Sequence, residues 1–482
     1  MKSIANSMAQ DSNHAIVFGA AGLLGWSAVN QLLSGYPTSR SFSRVTAVLN
    51  RSVPEPELHW PTGPGRPQLQ IVSGIDLLQG TGDDLAKQLK EKVNGVEEIS
   101  HVFYFVFASL NEDPIKECAQ NCGMMQRLAD ALNMVAPSLR TFVYSGGTRG
   151  YGIYIPGGIF QPPLVESMAD NLPDDYARTV AYPWFQKILT ESSNGRGWTW
   201  TEVCPDAVVG FTPNGSAFSL ALHWAQYLSL YAYNHGIRPN GTASPNRDEV
   251  KVPFPGDEAG YRSLLTPVSE KILGRIAIHA ALDPDKCGQK TINMVDNDRP
   301  VSFADLWPAI ANWFGLKGVG PSSVGDAFKP GEYVTKFRHL FTENERPKGA
   351  TCGVGAGSTQ LDSLGWWLCF DRHLSSERLR KKSWDYPLRK GKYNSMISSP
   401  AVLLPVLRQD SLAPAGQSTK SDQTEGNLHA LIKIGKINAL DPAVLASYLL
   451  HASDIGDLLL FLEPFPLVYS GIHGFHLGQL GL

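Results

Sequence analysis

The stretch that most constrains the fold is Gly19-Ala-Ala-Gly22-Leu-Leu-Gly25. An apolar run, Ala15-Ile16-Val17-Phe18, leads straight into it. Beyond it Trp26, Val29, Leu32 and Leu33 recur at helical spacing, so a helix begins inside the glycine cluster. Strand, glycine turn and helix in that order form the cradle that holds a dinucleotide pyrophosphate. Gly19 permits the tight turn, Gly22 lets backbone N–H groups reach a phosphate, and Gly25 lets the helix pack on the strand. The anion then sits at the positive end of the helix. Ala21, Leu23 and Leu24 supply the rest of the cradle's backbone.

The same alternation continues along the chain. Arg44–Asn50, Leu69–Val72, His101–Ala108, Leu139–Tyr144, Trp198–Val203 and Lys290–Val295 read as strands. His101–Ala108 is apolar nearly throughout, as a strand buried on both faces must be. Asp83–Val93, Glu117–Val135, Tyr182–Glu191, Ser219–Ala232, Leu264–Leu282 and Ser302–Phe314 read as helices. Strands alternating with helices predict an α/β fold, a doubly wound parallel sheet of the Rossmann type. We expect a disordered N-terminus over residues 1–13 and a dinucleotide-binding domain over 14–215. A smaller, mainly helical substrate-binding region over 216–398 would be interleaved with it. The tail, 399–482, is irregular, and Ser411–Asn427 is too polar to bury a core.

Ligands bind at the carboxyl ends of such strands, which orders the candidate site residues. At the second strand's end, Asn50-Arg51-Ser52 offers a cation and no carboxylate, which favours the 2′-phosphate of NADPH over the free ribose of NADH. Asp76 follows the third strand, beside the adenine or as a turn cap. Val106, Phe107 and Ala108 would lie along the cofactor, with Asn121 on the next helix and Val208 after the sixth strand. Ser145, Arg149 and Tyr151 stand where the fifth strand ends, and Tyr182 opens a helix with Pro183 in its first turn. A hydride delivered to a carbonyl or enone leaves an oxyanion that needs a proton donor, and a tyrosine phenol beside a cation can serve. Tyr182, with Tyr151 as rival, is the candidate phenol. Arg149, with Lys187 as rival, is the candidate cation, and Ser145 would orient the substrate oxygen. The competing expectation pairs Arg149 with an acid such as Glu166 or Asp170. The helix over 219–232 serves as core packing on one face and as a wall of an apolar substrate pocket on another.

Composition excludes several alternatives. The formal charge of −3 carries no argument for nucleic acid or an anionic membrane surface. No apolar run reaches the ~18 residues that span a bilayer, and Met1–Asn13 lacks the apolar core of a secretory signal. Cys118 and Cys122 are one helical turn apart with no second ligand pair, so reduced thiols are expected and a metal site is not. A cytoplasmic protein with a small-molecule substrate fits these features, and a homodimer is compatible with them.

The glycine spacing, G-x-x-G-x-x-G, is that of short-chain dehydrogenases and reductases. Together with Asn50-Arg51, His101-Val-Phe-Tyr104, Asn121, Thr199-Trp200, Pro205, Gly210-Phe211-x-Pro213, Ser219-Leu220 and Gly365-Trp366-Trp367, the chain resembles the progesterone 5β-reductase/iridoid synthase-like proteins. That resemblance covers residues 15 to about 395. It implies NADPH and the 1,4-reduction of an apolar enone, in specialised metabolism. It also implies a catalytic lysine and the first tyrosine of a Tyr-Tyr pair, positions that here hold Thr148 and Ala181. Other reactions on the same scaffold remain open (ketone 1,2-reduction, dehydrogenation, epimerisation), as does an NADP-binding sensor or scaffold without turnover.

Overall fold

The computed structural model describes residues 13–110, 113–210, 212–237, 249–322, 329–343 and 360–380. The expected tail over 399–482 lies outside the described residues, as do residues 1–12 of the N-terminus.

In chain order the elements are β1 (His14–Phe18), α1 (Leu23–Leu33), β2 (Arg44–Leu49), β3 (Gln68–Ser73), α2 (Gly82–Lys92), β4 (Ile99–Tyr104), α3 (Pro114–Val135) and β5 (Thr141–Ser145). Then come α4 (Asp174–Ala177), α5 (Ala181–Ser193), β6 (Thr199–Pro205), β7 (Val208–Val209), α6 (Leu220–Asn234), β8 (Lys251–Pro253) and α7 (Glu258–Arg262). Then follow β9 (Val268–Ser269), α8 (Glu270–Leu282), α9 (Pro284–Cys287), β10 (Lys290–Met294), α10 (Phe303–Trp313) and β11 (Lys317–Val319), and after them the short helices α11 (Pro330–Phe337), α12 (His339–Glu343) and α13 (Glu377–Arg380). The main sheet is parallel throughout, in the order β10-β6-β5-β4-β1-β2-β3. Strand order reverses between β1 and β4, which opens the ligand crevice at their carboxyl ends.

Both faces of the sheet are covered, so its strands alternate between two apolar cores. Ala15 and Val17 of β1 join α1 and α8 on one face. Ile16 and Phe18 join α2, α3 and α5 on the other. Each such side chain contributes about 1.5–3 kcal/mol by leaving water. Helix α8 lies close along α1: a Cβ on Gly274 would come 2.8 Å from Ser27 Oγ. That hydroxyl donates to Glu270 O at 2.6 Å. A third apolar cluster, away from the sheet, joins α6, β8 and α10, and Trp307 Nε1 donates to Val252 O there at 3.1 Å.

Two elements differ from their sequence expectation. Strand β4 ends at Tyr104, not Ala108, because the last ladder bond is Phe105 N to Phe18 O and α3 takes up the backbone beyond. Helix α8 begins at Glu270, not Leu264, because Val268 pairs in parallel with Val208 first.

Residues 360–380 are fastened to the sheet's carboxyl edge. Leu374 N donates to Thr266 Oγ1 at 2.9 Å, and Leu164 N to His373 O at 2.9 Å. Arg372, 1% exposed, lies 3.3 Å through Nε from Oδ1 of Asp206, 4% exposed. Burial raises the Asp206 carboxyl pKa, while Arg372 and a hydrogen bond from Thr148 Oγ1 at 3.0 Å pull it back down. Truncating one member of a buried ion pair leaves the other charge uncompensated. Asp206→Ala should therefore cost about 3–5 kcal/mol in urea unfolding, whereas Asp206→Leu combined with Arg372→Met should recover most of it.

Candidate active site at the strand ends

The glycine turn is built by close approach. Gly19 has φ +73°, and a Cβ there would lie 2.6 Å from Phe105 O, the first residue past β4. A Cβ on Gly25 would lie 2.1 Å from Gly19 O, so α1 seats its first turn directly on the turn's carbonyl. Gly22 caps α1 without a side-chain bond, and no acidic residue stands in the first turn. Gly22 is exposed, Ala21 and Leu24 are half-buried, and Leu23 packs inward. A positive helix end therefore meets an open edge of backbone, the arrangement that accepts a phosphate. Thr212 Oγ1 and Asn214 Nδ2 close one side of it, donating to Ala21 O at 2.9 and 3.1 Å.

The adjoining strand ends divide the remaining candidates. Asn50, Arg51 and Ser52 are exposed just past β2, and Arg51 has no ion-pair partner among the described residues. Asp76 is exposed and caps its own turn, its Oδ1 accepting from Leu78 N at 2.9 Å. Val208 is buried in the short β7–β9 ladder.

Past β4, Phe105 to Leu110 form the cleft floor. Val106 Cγ2 lies 3.2 Å from where a Gly19 Cβ would stand, and the Phe107 ring is 6.1 Å from that of Tyr182. This floor links the cradle to the phenol. Asn121, fully buried, holds it: Oδ1 accepts from Ala108 N at 2.9 Å and Nδ2 donates to Ala108 O at 2.8 Å. Asn121 thus positions Ala108 instead of facing the cleft. One turn earlier on α3, Glu117 Oε2 accepts from Leu110 N at 2.6 Å while Oε1 pairs with Arg149 Nη1.

Arg149 is accordingly fixed by Glu117, not by Glu166 or Asp170. Its Nη2 donates to Thr179 O at 2.7 Å, and its guanidinium lies 5.1 Å from the Tyr154 ring. Lys187 is exposed, with its Nζ 5.8 Å from the Trp184 ring on the outer side of α5.

Tyr182, in the first turn of α5, sends its hydroxyl to the end of β5: a Cβ on Gly147 would lie 3.5 Å from Oη. Burial pushes its phenol pKa up, and the Arg149 charge offsets part of that. Ser145 stands at the same strand end, but its Oγ donates to Gly146 O at 3.0 Å. Tyr151 is 1% exposed and donates to Asn293 Oδ1 at 2.7 Å, which places this rival phenol in the core. Among the described residues no cluster of His, Cys, Asp or Glu could hold a metal ion, and no helix is long and apolar enough to cross a membrane. Five cysteines in those residues, Cys118 and Cys122 included, are free thiols.

Residues 15–368 match the PRISE-like Rossmann-fold domain. The chain belongs to that family. It is 30% identical over 311 residues to the short chain dehydrogenase sirQ of Leptosphaeria maculans, covering 64% of this chain and 75% of that one. It is 22% identical over 294 residues to the (S)-8-oxocitronellyl enol synthase ISY2 of Nepeta racemosa, covering 60% and 67%. A UDP-glucose 4-epimerase structure aligns at a TM-score of 0.44 and 17% identity, covering 65% of this chain and 87% of that one.

In this PRISE-like chain neither Thr148 nor Ala181, the positions at which the resemblance implies a lysine and a tyrosine, reaches the cleft with a reactive group. Thr148 is 4% exposed and donates to Asp206, and Ala181 is 3% exposed against the α5 side of the sheet. Sequence reasoning missed Glu117, whose only cue was its place one helical turn before Asn121. It also missed Glu202, a carboxylate in the otherwise apolar-to-neutral strand β6. Tyr144 Oη, Gln186 Nε2 and Thr291 Oγ1 donate to Glu202 Oε2 at 3.2, 2.7 and 2.9 Å. Its Oε1 would lie 1.8 Å from a Cβ on Gly146, so this loop glycine makes room for the buried acid.

The Asn121 clamp has a measurable consequence. Asn121→Leu leaves the Ala108 N–H and C=O without their partner, a cost of about 1–3 kcal/mol. Hydrogen exchange should show the Ala108 amide opening faster than the β4 amides, and unchanged exchange there would show that Asn121 does not hold the floor.

Proposed function

We propose that this chain is an NADPH-dependent reductase of a small or medium apolar carbonyl or enone. The single observation that carries the reading is Tyr182, whose hydroxyl is delivered to Gly147 beside the same cleft floor that passes beneath the glycine cradle. The cradle fits a dinucleotide: Gly19 and Gly25 leave no room for a Cβ, and the uncapped start of α1 faces outward beside Gly22. Gly19 to Gly25 would hold the pyrophosphate, Asn50, Arg51 and Ser52 the ribose phosphate, and Val106 to Ala108 the cleft wall. The nicotinamide would supply hydride. When an enolate or alkoxide develops on the substrate, Tyr182 Oη donates its hydrogen bond and then its proton to that oxygen. Arg149 stays charged throughout and stabilises negative charge without moving a proton. Ser145 can orient the substrate oxygen once its hydroxyl rotates away from Gly146 O. Asp76, exposed past β3, would lie beside the adenine. Asn121 and Val208 act on the shape of the site from behind it.

A second reading, an NADP-binding protein without turnover, is favoured by one observation: Thr148 and Ala181 offer no substitute for the family's lysine and tyrosine. NADPH oxidation across a panel of enones and ketones separates the two readings, and product analysis, saturated ketone against alcohol, separates 1,4- from 1,2-reduction.

Two substitutions test the assignment. Tyr182→Phe should lower turnover by about 10²–10⁴-fold, the usual contribution of a positioned acid, while NADPH affinity by fluorescence changes little. Unchanged turnover would remove Tyr182 from the mechanism. Arg51→Ala should weaken NADPH binding by about tenfold, one charge-assisted contact, and leave NADH binding nearly as it was. Equal losses for both nucleotides would argue against a 2′-phosphate contact.

A further inference from the structure

We propose that Glu202 is a positioning residue for Tyr182: from within the sheet it fixes the turn of α5 and the end of β5 between which the Tyr182 hydroxyl stands. The proposal rests on the reading of Tyr182 as proton donor. Glu202 is 3% exposed in the middle of β6, so it acts through its neighbours and not on a bound molecule. A carboxylate there is costly unless its neighbours hydrogen-bond to it. Side chains from three elements converge on its Oε2. Tyr144 Oη of β5 donates at 3.2 Å, Gln186 Nε2 of α5 at 2.7 Å and Thr291 Oγ1 of β10 at 2.9 Å.

Three routes lead from Glu202 to Tyr182. The first is a hydrogen bond. Gln186 stands four residues after Tyr182, so the two side chains leave the same face of α5 one turn apart. The Gln186 amide also donates to Thr291 Oγ1 at 3.1 Å, so that face is tied to β6 and β10 together and α5 cannot turn about its axis without breaking both bonds. The second route runs through rings. Tyr144, held at its hydroxyl by Glu202, meets Phe185 edge-on with centroids 5.7 Å apart, and Phe185 meets Tyr182 in the same way at 6.2 Å. The third is steric. A Cβ on Gly146 would overlap Glu202 Oε1, and the next residue, Gly147, is the one whose Cβ position lies 3.5 Å from Tyr182 Oη. Glu202 thus packs directly against the strand end that the phenol faces. Removing it frees Gln186 and leaves the buried Tyr144 hydroxyl without its acceptor. What Glu202 supplies in all this is an acceptor at a fixed place, not a charge.

The test reads Tyr182 directly. In the full chain carrying tyrosine labelled with carbon-13 at Cζ, the Tyr182 resonance is identified by its loss in Tyr182→Phe. Glu202→Ala should shift or broaden that resonance well below the melting temperature. It should also lower kcat by about 10²-fold, the cost of displacing a reacting group by about an ångström, with KM and NADPH affinity little changed. Turnover is measured with NADPH and the enone or ketone of the panel that the unaltered chain reduces fastest. Glu202→Gln, whose amide oxygen accepts from the same donors, should restore the resonance and most of the turnover. A role in stability alone would lower the melting temperature of Glu202→Ala and leave the Tyr182 resonance in place. Gly146→Ala pushes the carboxylate aside without removing it, and it tests the same point if Glu202→Ala does not fold. It should reproduce the Glu202→Ala shift, and adding it to Glu202→Ala should change nothing further. An unmoved resonance in Glu202→Ala or Gly146→Ala, additive shifts in the double variant, a Glu202→Gln variant as impaired as Glu202→Ala, or a moved resonance with unchanged kcat would each overturn the proposal. An unaltered chain that reduces nothing in the panel would instead remove the proton-donor reading, and the resonance alone would then decide whether Glu202 places Tyr182.

Discussion

The contact on which the structure depends is the seating of Gly25 against the carbonyl of Gly19, with Gly19 in turn pressed against the carbonyl of Phe105. Each approach is closer than any side chain allows. The first fixes where α1 leaves β1, and therefore the direction in which its positive end points. The second fixes how far β4 rises beside β1 before its backbone turns away. Because the strands are parallel and in register, those two contacts set the crevice where strand order reverses. The Phe105–Leu110 floor, the Asn121 clamp and the Phe107–Tyr182 contact all follow from where β4 ends.

Three of the charged groups buried around that crevice have different physical solutions. Arg149 and Glu117 form an ion pair whose spare oxygen also holds Leu110 N, so the cation beside Tyr182 is fixed by the same residue that fixes the floor. Asp206 and Arg372 pair across the join between β6 and the 360–380 segment. Glu202 has no adjacent cation in its shell of donors: three neutral groups donate to one oxygen, and burial pushes its carboxyl pKa up. Thr148 joins the Asp206 pair through its hydroxyl.

Much of this was legible from residues alone, and the reasons are local. The glycine spacing can be satisfied only by a strand meeting a helix at close range, and the apolar runs over 99–104 and 141–145 can be stable only in a sheet covered on both faces. Periodicity therefore predicted the alternation, and the doubly wound sheet followed. It erred where a tertiary contact outweighed the local pattern. The apolar run to Ala108 reads as strand, but Asn121 takes the Ala108 N–H and C=O, and a ladder cannot continue without them. Leu264–Ser269 reads as the start of a helix, but Val268 finds a strand partner in Val208.

The sequence by itself determined the parallel sheet, the phosphate-type cradle and the family, because each rests on residues near one another in the chain or on a pattern of fixed period. Only the tertiary structure decided which polar side chains face the cleft. Tyr182 and its rival Tyr151 are both phenols in the sequence, yet one reaches Gly147 and the other is locked to Asn293 in the core. The sequence offered Arg149 either as the cation beside the phenol or as the partner of Glu166 or Asp170, and the fold pairs it with Glu117 instead. Side-chain direction and burial depend on contacts between distant segments, and no periodicity in the sequence encodes them.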